Sequence, residues 1–563
     1  DSNSRVTELP AEDDVAAAAA SSAEPPVWSK TSPEVKLPKD TLVLCMDAMK
    51  CLNMLGILWA GRGVVHKSFL YLLAANKLYA RGKVHLDKLN ATSSAGDRRR
   101  AKEMESVYTH NLFYLAQAYG HIGDTRKSGE FCFETLQRQY AVGFDNMAGA
   151  LDWIKNCVGI SDFYIALGHY KKCSLALLSA QAVYIRRVLT CQAQEKAEKE
   201  KKDKNKAKDA DPQNLKFLDV LTDPAISSDA AFDDNDIAEV EADLSRRLAH
   251  LDQTILKHAY ERKLQQETAV ENGVPFEDAE DDPEDDDAGA SSRATRRAAE
   301  GEADCAPENI HFFKGLPVSP VPFLTAGAIN SFADARVVFL RAGMHIDVAK
   351  KHFVLDGFVS DHAALLQAQS KLYHFLAAFE TESKRKLAME NKRIEILSPL
   401  LKTLNRAAFE GLHKQVSYEL GEAYMTLQEI KIEKIRSRRP DGVVNSRVMK
   451  PAEMQNCNAY AHGALAMFSH YASFFAAEKD ATGRGAVNFA DYNMDKLATA
   501  ATTDPNAATI SEDEVRSFLN AHFLCCRMMS KVLVPHTASG MEQSKYMVHC
   551  LKRYEWLVKY GPT

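Results

Sequence analysis

The chain has 563 residues with a formal net charge of −6, and 46% of its residues are hydrophobic. This hydrophobic fraction can fill a packed core, while the slight acidity and the lack of a domain-sized basic stripe argue against a nucleic-acid binder. The 27 glycines and 19 prolines are few for this length, and alternating β-branched residues are scarce, so we expect an all-α chain.

The cysteines and the hydropathy pattern exclude two further classes of protein. The 11 cysteines are scattered singly apart from Cys525-Cys526, without a CxxC pair or a Cys/His metal spacing. This pattern is typical of reduced thiols in a cytosolic protein. We find neither a run of eighteen apolar residues nor a signal-peptide pattern, which predicts a soluble protein that does not enter a membrane.

The first elements in chain order are a tail and a helical pair. Residues 1–38 are rich in Ala, Glu, Ser and Pro and are predicted to form a disordered tail. In residues 52–79, Leu55 followed four residues later by Trp59 places a large and an aromatic residue on one face of a helix. With a glycine between them, this spacing is typical of the first helix of a tetratricopeptide repeat, a unit of two helices folded back to back.

The same spacing is clearest in residues 107–139. Leu115 precedes Tyr119 by the same interval, with an alanine between them, and Gly123 marks the turn to a second helix. The second helix carries compact residues that let it approach the first, namely Ser128, Cys132 and Thr135. Such pairs build scaffolds that bind other proteins and seldom carry chemistry of their own.

Further copies extend the array along the chain. Residues 151–184 repeat the pattern, and residues 416–431 repeat it around Tyr424. The intervals between copies exceed the standard period of about 34 residues, so the helices or loops are longer than in a regular array. We therefore predict two solenoid halves, an N-terminal one at residues 39–266 and a C-terminal one at residues 309–563.

Two charged segments interrupt the helical pattern. Residues 267–308 contain nine acidic residues in the eleven positions 277–287. Because this segment has too few apolar side chains to offset its ordering entropy, we predict a disordered linker between the halves. Residues 192–209 hold seven lysines among five acidic residues, and because these charges interleave, a helical extension or disordered loop fits better than a nucleic-acid arm.

A search for catalytic motifs finds none. The sequence contains no phosphate-binding loop, no HExxH, no GxSxG and no dinucleotide glycine fingerprint. Among the 18 histidines, His462 and His470 stand eight residues apart without a nearby third ligand. We therefore predict a protein that is not an enzyme and that has no cofactor and no metal site.

What remains is a binding surface on the side of each first helix that faces away from the packed positions. In tetratricopeptide arrays these first helices line the concave wall. The predicted groove residues are His110, Phe113, Tyr114, Gln117 and His121 in the second copy, Lys155, Val158, Gly159 and Asp162 in the third, and Gln415, Tyr418, Glu419 and Glu422 in the C-terminal copy. The aromatic and amide side chains among them suit a protein partner.

Five segments carry a more specific signal than the repeat spacing: VYTHNLFYLAQAYGH (107–121), LGILW (55–59), DGFVSDH (356–362), FLAAFETESKRKLAMENKRIEILSPL (375–400) and LGEAY (420–424). Together they resemble the KIF-binding protein family, tetratricopeptide-like cytosolic inhibitors of kinesin motors. The order of the motifs and the position of the acidic linker are similar too.

The resemblance implies a right-handed α-solenoid in two halves joined by a linker, which wraps a kinesin motor domain in its concave groove and blocks microtubule attachment. It implies that Tyr114, Gln117 and Gln139 are groove residues that bind the motor. It also implies a location in the cytoplasm and on the cytoskeleton. The sequence departs from the family's pattern at Gly159, where the family has threonine, and residues 479–510 resemble an insertion.

A second hypothesis is a structural scaffold that is stably built into a microtubule-based assembly such as a cilium or the cortical cytoskeleton. Stacked helix pairs serve an inhibitor and a scaffold equally well, so the sequence leaves both functions open. Salt extraction separates them, because a soluble regulator washes free of microtubules whereas a built-in component stays with them.

Overall fold

The computed structural model describes residues 39–92, 95–144, 147–189, 234–273, 326–439, 442–475 without 446 and 448, 512–535 and 540–560, together with Phe313, Leu316, Val318 and Ala538. Every regular element in these ranges is a helix, and sequential helices pack against one another as in a solenoid. The predicted all-α solenoid is therefore confirmed. The predicted tail at residues 1–38 lies outside the described residues, as do the charged segment at 192–209 and most of the predicted linker.

The chain divides into two compact units. We call residues 1–231 with 304–320 the N-terminal unit, and residues 232–303 with 321–563 the C-terminal unit. The helices of the N-terminal unit are α1 (Lys39–Gly61), α2 (Val65–Thr92), α3 (Ala95–His121), α4 (Thr125–Val142), α5 (Met147–Ala166) and α6 (Tyr170–Val183), and a π-helical turn follows at Tyr184–Leu189.

These six helices form three packed pairs, α1–α2, α3–α4 and α5–α6, and α3 also packs on α1 and α2. The turn within the α3–α4 pair shows why the chain reverses there. Gly123 adopts a φ of 81°, a left-handed conformation that costs glycine little. The side chain of Asp124 then caps α4 by accepting a hydrogen bond from the backbone N–H of Lys127 at 3.0 Å.

The core of the N-terminal unit lies between the paired helices, where the repeat spacing places it. Leu115 is fully buried, and the ring of Tyr119 lies 4.8 Å from that of Phe69 on α2. The hydroxyl of Ser128 on α4 donates to the backbone carbonyl of Ala116 at 2.8 Å. The small residues of the repeat therefore allow the two helices of the pair to approach closely.

The helices of the C-terminal unit are α7 (Asp234–Asn272), α8 (Phe332–His352), α9 (Val359–Phe379), α10 (Ser383–Thr403), α11 (Glu410–Arg436), α12 (Pro451–Ala472), α13 (Glu512–Ser530) and α14 (Gly540–Tyr560). Short 3₁₀ segments occur at Ala326–Ala328 and Ser473–Phe475. From α8 to α14 each helix packs on the next, and α7 packs on both α8 and α9.

The division between the two units differs from the predicted boundary at residue 266. Helix α7 belongs to the C-terminal unit because its charged side chains bind α8 and α9. Arg341 on α8 donates to both carboxylate oxygens of the buried Asp252, at 2.9 and 2.5 Å, and the ammonium of Lys263 donates to the carbonyl of Ala378 at 2.8 Å. The helix also continues to Asn272, so residues 267–272 are helical rather than part of a disordered linker.

A short segment after the predicted linker belongs to the N-terminal unit rather than to the C-terminal half. The side chains of Phe313 and Leu316 are each only 1% exposed. The ring of Phe313 lies 4.9 Å from that of Trp153 and 5.8 Å from that of Tyr140. The chain thus returns to the N-terminal unit between residues 304 and 320, which the sequence pattern did not predict.

Helix α1 is the only described helix whose length and composition would allow it to cross a membrane. The window Val43–Gly61 has a mean hydropathy of 1.4, and 22% of it is buried. One face of α1 packs on α2 and α3. Length and composition alone are weak evidence for a membrane span, because core helices show the same values.

Helices α11 and α12 of the C-terminal unit pack closely at Gly421 on α11. A Cβ atom at this position would lie 2.6 Å from the ring of Phe468 on α12. Overpacking of this kind costs about 1–3 kcal/mol, which exceeds the gain of about 1 kcal/mol in helix propensity from glycine to alanine. We expect Gly421→Ala to lower the free energy of unfolding, measured by urea denaturation.

The control for this substitution is Gly343→Ala on α8, where a Cβ would meet nothing within 4 Å. Only the gain in helix propensity operates there, so the free energy of unfolding should rise by about 0.5–1 kcal/mol. If both substitutions changed the free energy of unfolding in the same direction, the close packing of α11 on α12 would be contradicted.

Candidate functional site

Helix α3 is held in one orientation by a buried polar contact. The side-chain amide of Asn111, which is fully buried, donates to Asn53 Oδ1 at 2.8 Å and to the carbonyl of Leu72 at 3.0 Å. Asn53 in turn donates to the carbonyl of Val107 at 3.2 Å. Because buried amides tolerate few alternative geometries, these bonds fix the register of α1, α2 and α3 and decide which face of α3 points outward.

The outward face of α3 carries the residues predicted from the repeat spacing. His110, Phe113, Gln117 and His121 are exposed, and Tyr114 is half-buried at the edge of the aromatic cluster around Tyr119. The rings of Phe113 and Tyr114 meet edge to face with their centroids 5.6 Å apart. We call these five residues the α3 face; it presents aromatic, amide and imidazole groups together.

Other predicted groove residues of the N-terminal unit lie on neighbouring helices. Gln139 is half-buried on α4, and its side-chain carbonyl is buried without a hydrogen bond to any described residue. Lys155, Gly159 and Asp162 are exposed on α5. Val158 was predicted to face the groove, but it is 8% exposed and lies in the core. That prediction is wrong because α5 is buried on more than one side. Its exposed surface is therefore narrower than the four predicted positions require.

Tyr418 has a packing role in the C-terminal unit. Its ring lies 5.6 Å from that of Phe468 and 5.2 Å from that of Tyr471, and its hydroxyl accepts a hydrogen bond from Asn520 at 2.7 Å. Burial raises the pKa of the Tyr418 phenol. The side chain therefore links α11, α12 and α13, and it offers a partner less free surface than its predicted groove position suggests.

Glu419 and Glu422 line a cavity of about 550 Å³ in the C-terminal unit. The carboxylate of Glu419 accepts a hydrogen bond from Gln367 at 2.9 Å and lies 3.5 Å from the ammonium of Lys371. Burial raises the pKa of both carboxyl groups, and nearby cations only partly oppose this effect. The two acids are thus more enclosed than residues of a solvated groove.

A buried charged network behind this cavity was missed by the sequence analysis, which interpreted the mixed charges of residues 375–400 as a solvated helix face. Arg393 is 3% exposed and Glu390 is 1% exposed. Arg393 donates to Glu390 Oε2 at 2.7 Å and to the hydroxyl of Ser370 at 3.2 Å. An Arg three residues after a Glu is also common on exposed helices, so the sequence alone gave no signal of burial.

Within the described ranges no three His, Cys, Asp or Glu side chains come together in a group that could hold a metal ion. The predicted site residues fall into separate sets: the α3 face with Gln139 and Asp162 in the N-terminal unit, and Tyr418 with Glu422 in the C-terminal unit. The first set presents exposed side chains, whereas the second set is largely enclosed within the C-terminal unit.

Comparisons of this chain with a family model and with individual known proteins identify the same family. A family model described as KIF-1 binding protein C terminal matches residues 151–562. The KIF-binding protein of Homo sapiens is 25% identical over 541 residues, which cover 93% of this chain and 73% of that protein. The Xenopus tropicalis protein is 27% identical over 396 residues, covering 68% of this chain and 57% of its own length. The Drosophila melanogaster protein is 21% identical over 514 residues, covering 90% and 71%.

Among solved structures, a circular tandem repeat protein with novel repeat topology matches 92% of this chain and 98% of its own. The sequence identity is 11% and the TM-score is 0.24. The solenoid fold follows from the helix packing described above.

Proposed function

Because the chain belongs to the KIF-binding protein family, we propose that it is a non-enzymatic regulator that binds a kinesin motor domain and blocks its attachment to microtubules. The family model covers most of the chain and relatives that carry this name align with nearly all of it. The observation that carries the proposal is the α3 face, an exposed set of aromatic and amide groups on a rigidly held helix.

The α3 face has the composition of a protein-binding surface. Tyr114 and Phe113 offer large contact areas at a small cost in side-chain entropy, and the exposed amide of Gln117 can form hydrogen bonds with a partner. Because Asn111 holds α3 in place through buried hydrogen bonds, these side chains are positioned before a partner arrives. Such positioning lowers the entropy cost of binding.

Electrostatics would assist the same encounter. The track-binding surface of a kinesin is basic because tubulin is acidic, and this chain carries a net charge of −6. Exposed acidic groups such as Asp162 on α5 supply complementary potential, which mainly raises the rate of association. Binding to that surface would exclude the microtubule by competition, so inhibition requires no catalytic step. The proposed place of action is the cytoplasm and the cytoskeleton.

The experiment that tests the proposal replaces Tyr114 and Gln117 together with alanine. Loss of a central aromatic anchor and its neighbouring amide should weaken capture of a motor domain by about 1–4 kcal/mol. Binding is measured with purified kinesin motor domains, and inhibition is measured in a microtubule-gliding assay. Helical content by circular dichroism should not change, because Gln117 is exposed and Tyr114 lies at the edge of the core.

The matched control replaces Tyr71 and Gln137, a half-buried tyrosine on α2 and an exposed glutamine on α4. Alanine substitutions at these two positions remove the same chemical groups from other helices and should leave the affinity for the motor domain unchanged. Equal affinity of the wild type and the Tyr114→Ala/Gln117→Ala variant would exclude the α3 face as the binding surface. Failure of the wild-type chain to bind any motor domain would refute the proposed function.

A further inference from the structure

The cavity of about 550 Å³ in the C-terminal unit lies between α7, α9, α10 and α11. Ligand-binding pockets typically measure about 300–1,000 Å³, so the volume suffices for a sizeable group. Phe375 and Met425 form an apolar part of the cavity lining, and Glu419 and Glu422 line the cavity from α11. Because residues three apart on a helix are neighbours, the two carboxylates share one side of the cavity.

The cations that line this cavity already have acidic partners. Arg393 donates to Glu390 at 2.7 Å. The ammonium of Lys371 lies 3.5 Å from Glu419. Lys257 is more than half exposed and lies 3.6 Å from a carboxylate on its own helix. The positive charge around the cavity is therefore largely compensated or hydrated.

Glu422 differs from these groups because its carboxylate has no direct partner among the described residues. It is half-buried in the cavity lining, and the charges of Arg393, His374 and Lys371 act on it only from a distance, without a hydrogen bond or an ion pair. In addition, Oε2 of Glu419 is buried without a hydrogen-bond donor. Acceptors that are withdrawn from water without a donor raise the free energy of the folded state, and a donor supplied by a ligand would lower it.

We propose that the cavity receives a lysine or arginine side chain of the protein partner, with its charged head against Glu422 and Glu419. The aliphatic part of such a side chain lies along Phe375 and Met425, and its N–H groups supply the donors that Glu422 and Oε2 of Glu419 lack. This inference rests on the proposed function, since the side chain belongs to the bound motor domain. It names a second contact, in a different unit from the α3 face.

The test is the substitution Glu422→Gln, which keeps the shape of the side chain and removes its charge. Affinity for a purified motor domain that the wild-type chain binds should fall by about 10- to 100-fold, because the basic side chain loses one of its two counter-charges. The affinity of the variant should also depend less on salt than that of the wild type. The melting temperature of the free chain should stay constant or rise by about 1–4 °C, because an unpaired carboxylate has been removed.

The matched control is Glu433→Gln on the same helix. Glu433 is exposed and forms an ion pair with Arg436 at 2.7 Å, and it does not line this cavity. Its substitution should leave the affinity for the motor domain unchanged. Unchanged binding and salt dependence in Glu422→Gln, or a fall in its melting temperature, would overturn the inference while the wild-type chain still binds the motor. A wild-type chain that binds no motor domain would overturn both this inference and the proposed function.

Discussion

Replacing Arg393 with methionine should lower the free energy of unfolding of the C-terminal unit by about 3–5 kcal/mol. The guanidinium is almost fully buried, and it forms a 2.7 Å ion pair with the buried carboxylate of Glu390. Removing one member of such a pair leaves an uncompensated charge in the protein interior. Urea denaturation of the full chain, followed by circular dichroism, measures the change in the transition of this unit.

The effect of Arg393→Met should depend on pH. Burial by itself would raise the pKa of Glu390, but the hydrogen bond from His374 and the charge of Arg393 outweigh it and lower the pKa below its ordinary value. In the wild type the carboxylate therefore stabilises the fold above its unfolded-state pKa, and this contribution is lost as the pH falls through the folded-state pKa. The difference between wild type and variant should shrink on acidification, because a protonated Glu390 needs no cation.

A double substitution separates the charge from the packing at this site. In the variant Glu390→Gln/Arg393→Met the buried charge and its partner are both removed, so the loss of stability should be smaller than in Arg393→Met alone. Equal losses in the single and double variants would show that Arg393 acts through its packing against neighbouring side chains. A loss under about 1 kcal/mol in the single variant would contradict the buried ion pair.

The second large effect is expected from Phe313→Ala, which should lower the free energy of unfolding of the N-terminal unit by about 3–5 kcal/mol. The ring of Phe313 is 1% exposed and lies within 6 Å of Trp153, Phe133 and Tyr140, measured between centroids. Its removal leaves a cavity beside Trp153, one of the largest fully buried side chains. Denaturation monitored by tryptophan fluorescence measures this change, because the emission of Trp153 responds to its surroundings.

The control for Phe313→Ala is Phe113→Ala, the same chemical change at a position that is 38% exposed. Because Phe113 buries much less apolar surface than Phe313, the loss of stability should be smaller, about 1 kcal/mol. Similar losses for the two variants would mean that residues around 313 are not part of the core of the N-terminal unit.

The repeat helices were predictable because their signal is local. A large, a small and an aromatic residue within five positions define one helix face, and this pattern around Leu115 and Tyr119 coincides with the buried face of α3. The outward positions are those on the opposite side of the helix, and His110 and Gln117 are exposed there as the pattern predicts. Whether these exposed residues bind a kinesin remains a prediction, since exposure is necessary for binding but does not identify a partner.

Other residues could not be placed from the sequence because their surroundings come from distant segments. Tyr418 occupies a predicted groove position, but residues 50 and more positions later cover its ring. Arg393 is set in a charge pattern that also suits a solvated helix, and burial is decided by α9 and α11 on either side of α10. Sequence periodicity shows which face of a helix packs, not how many neighbours surround it.

By itself, the sequence determined that the chain is all-helical, that its helices pair, and which side of α3 faces outward. These properties depend on residues within one or two helical turns of each other. Only the tertiary structure decided that α7 belongs to the C-terminal unit, that Phe313 returns to the N-terminal unit, and that Glu390 and Arg393 are buried. The reason is that burial and charge compensation depend on contacts between residues that are far apart in the chain, and no local pattern specifies those contacts.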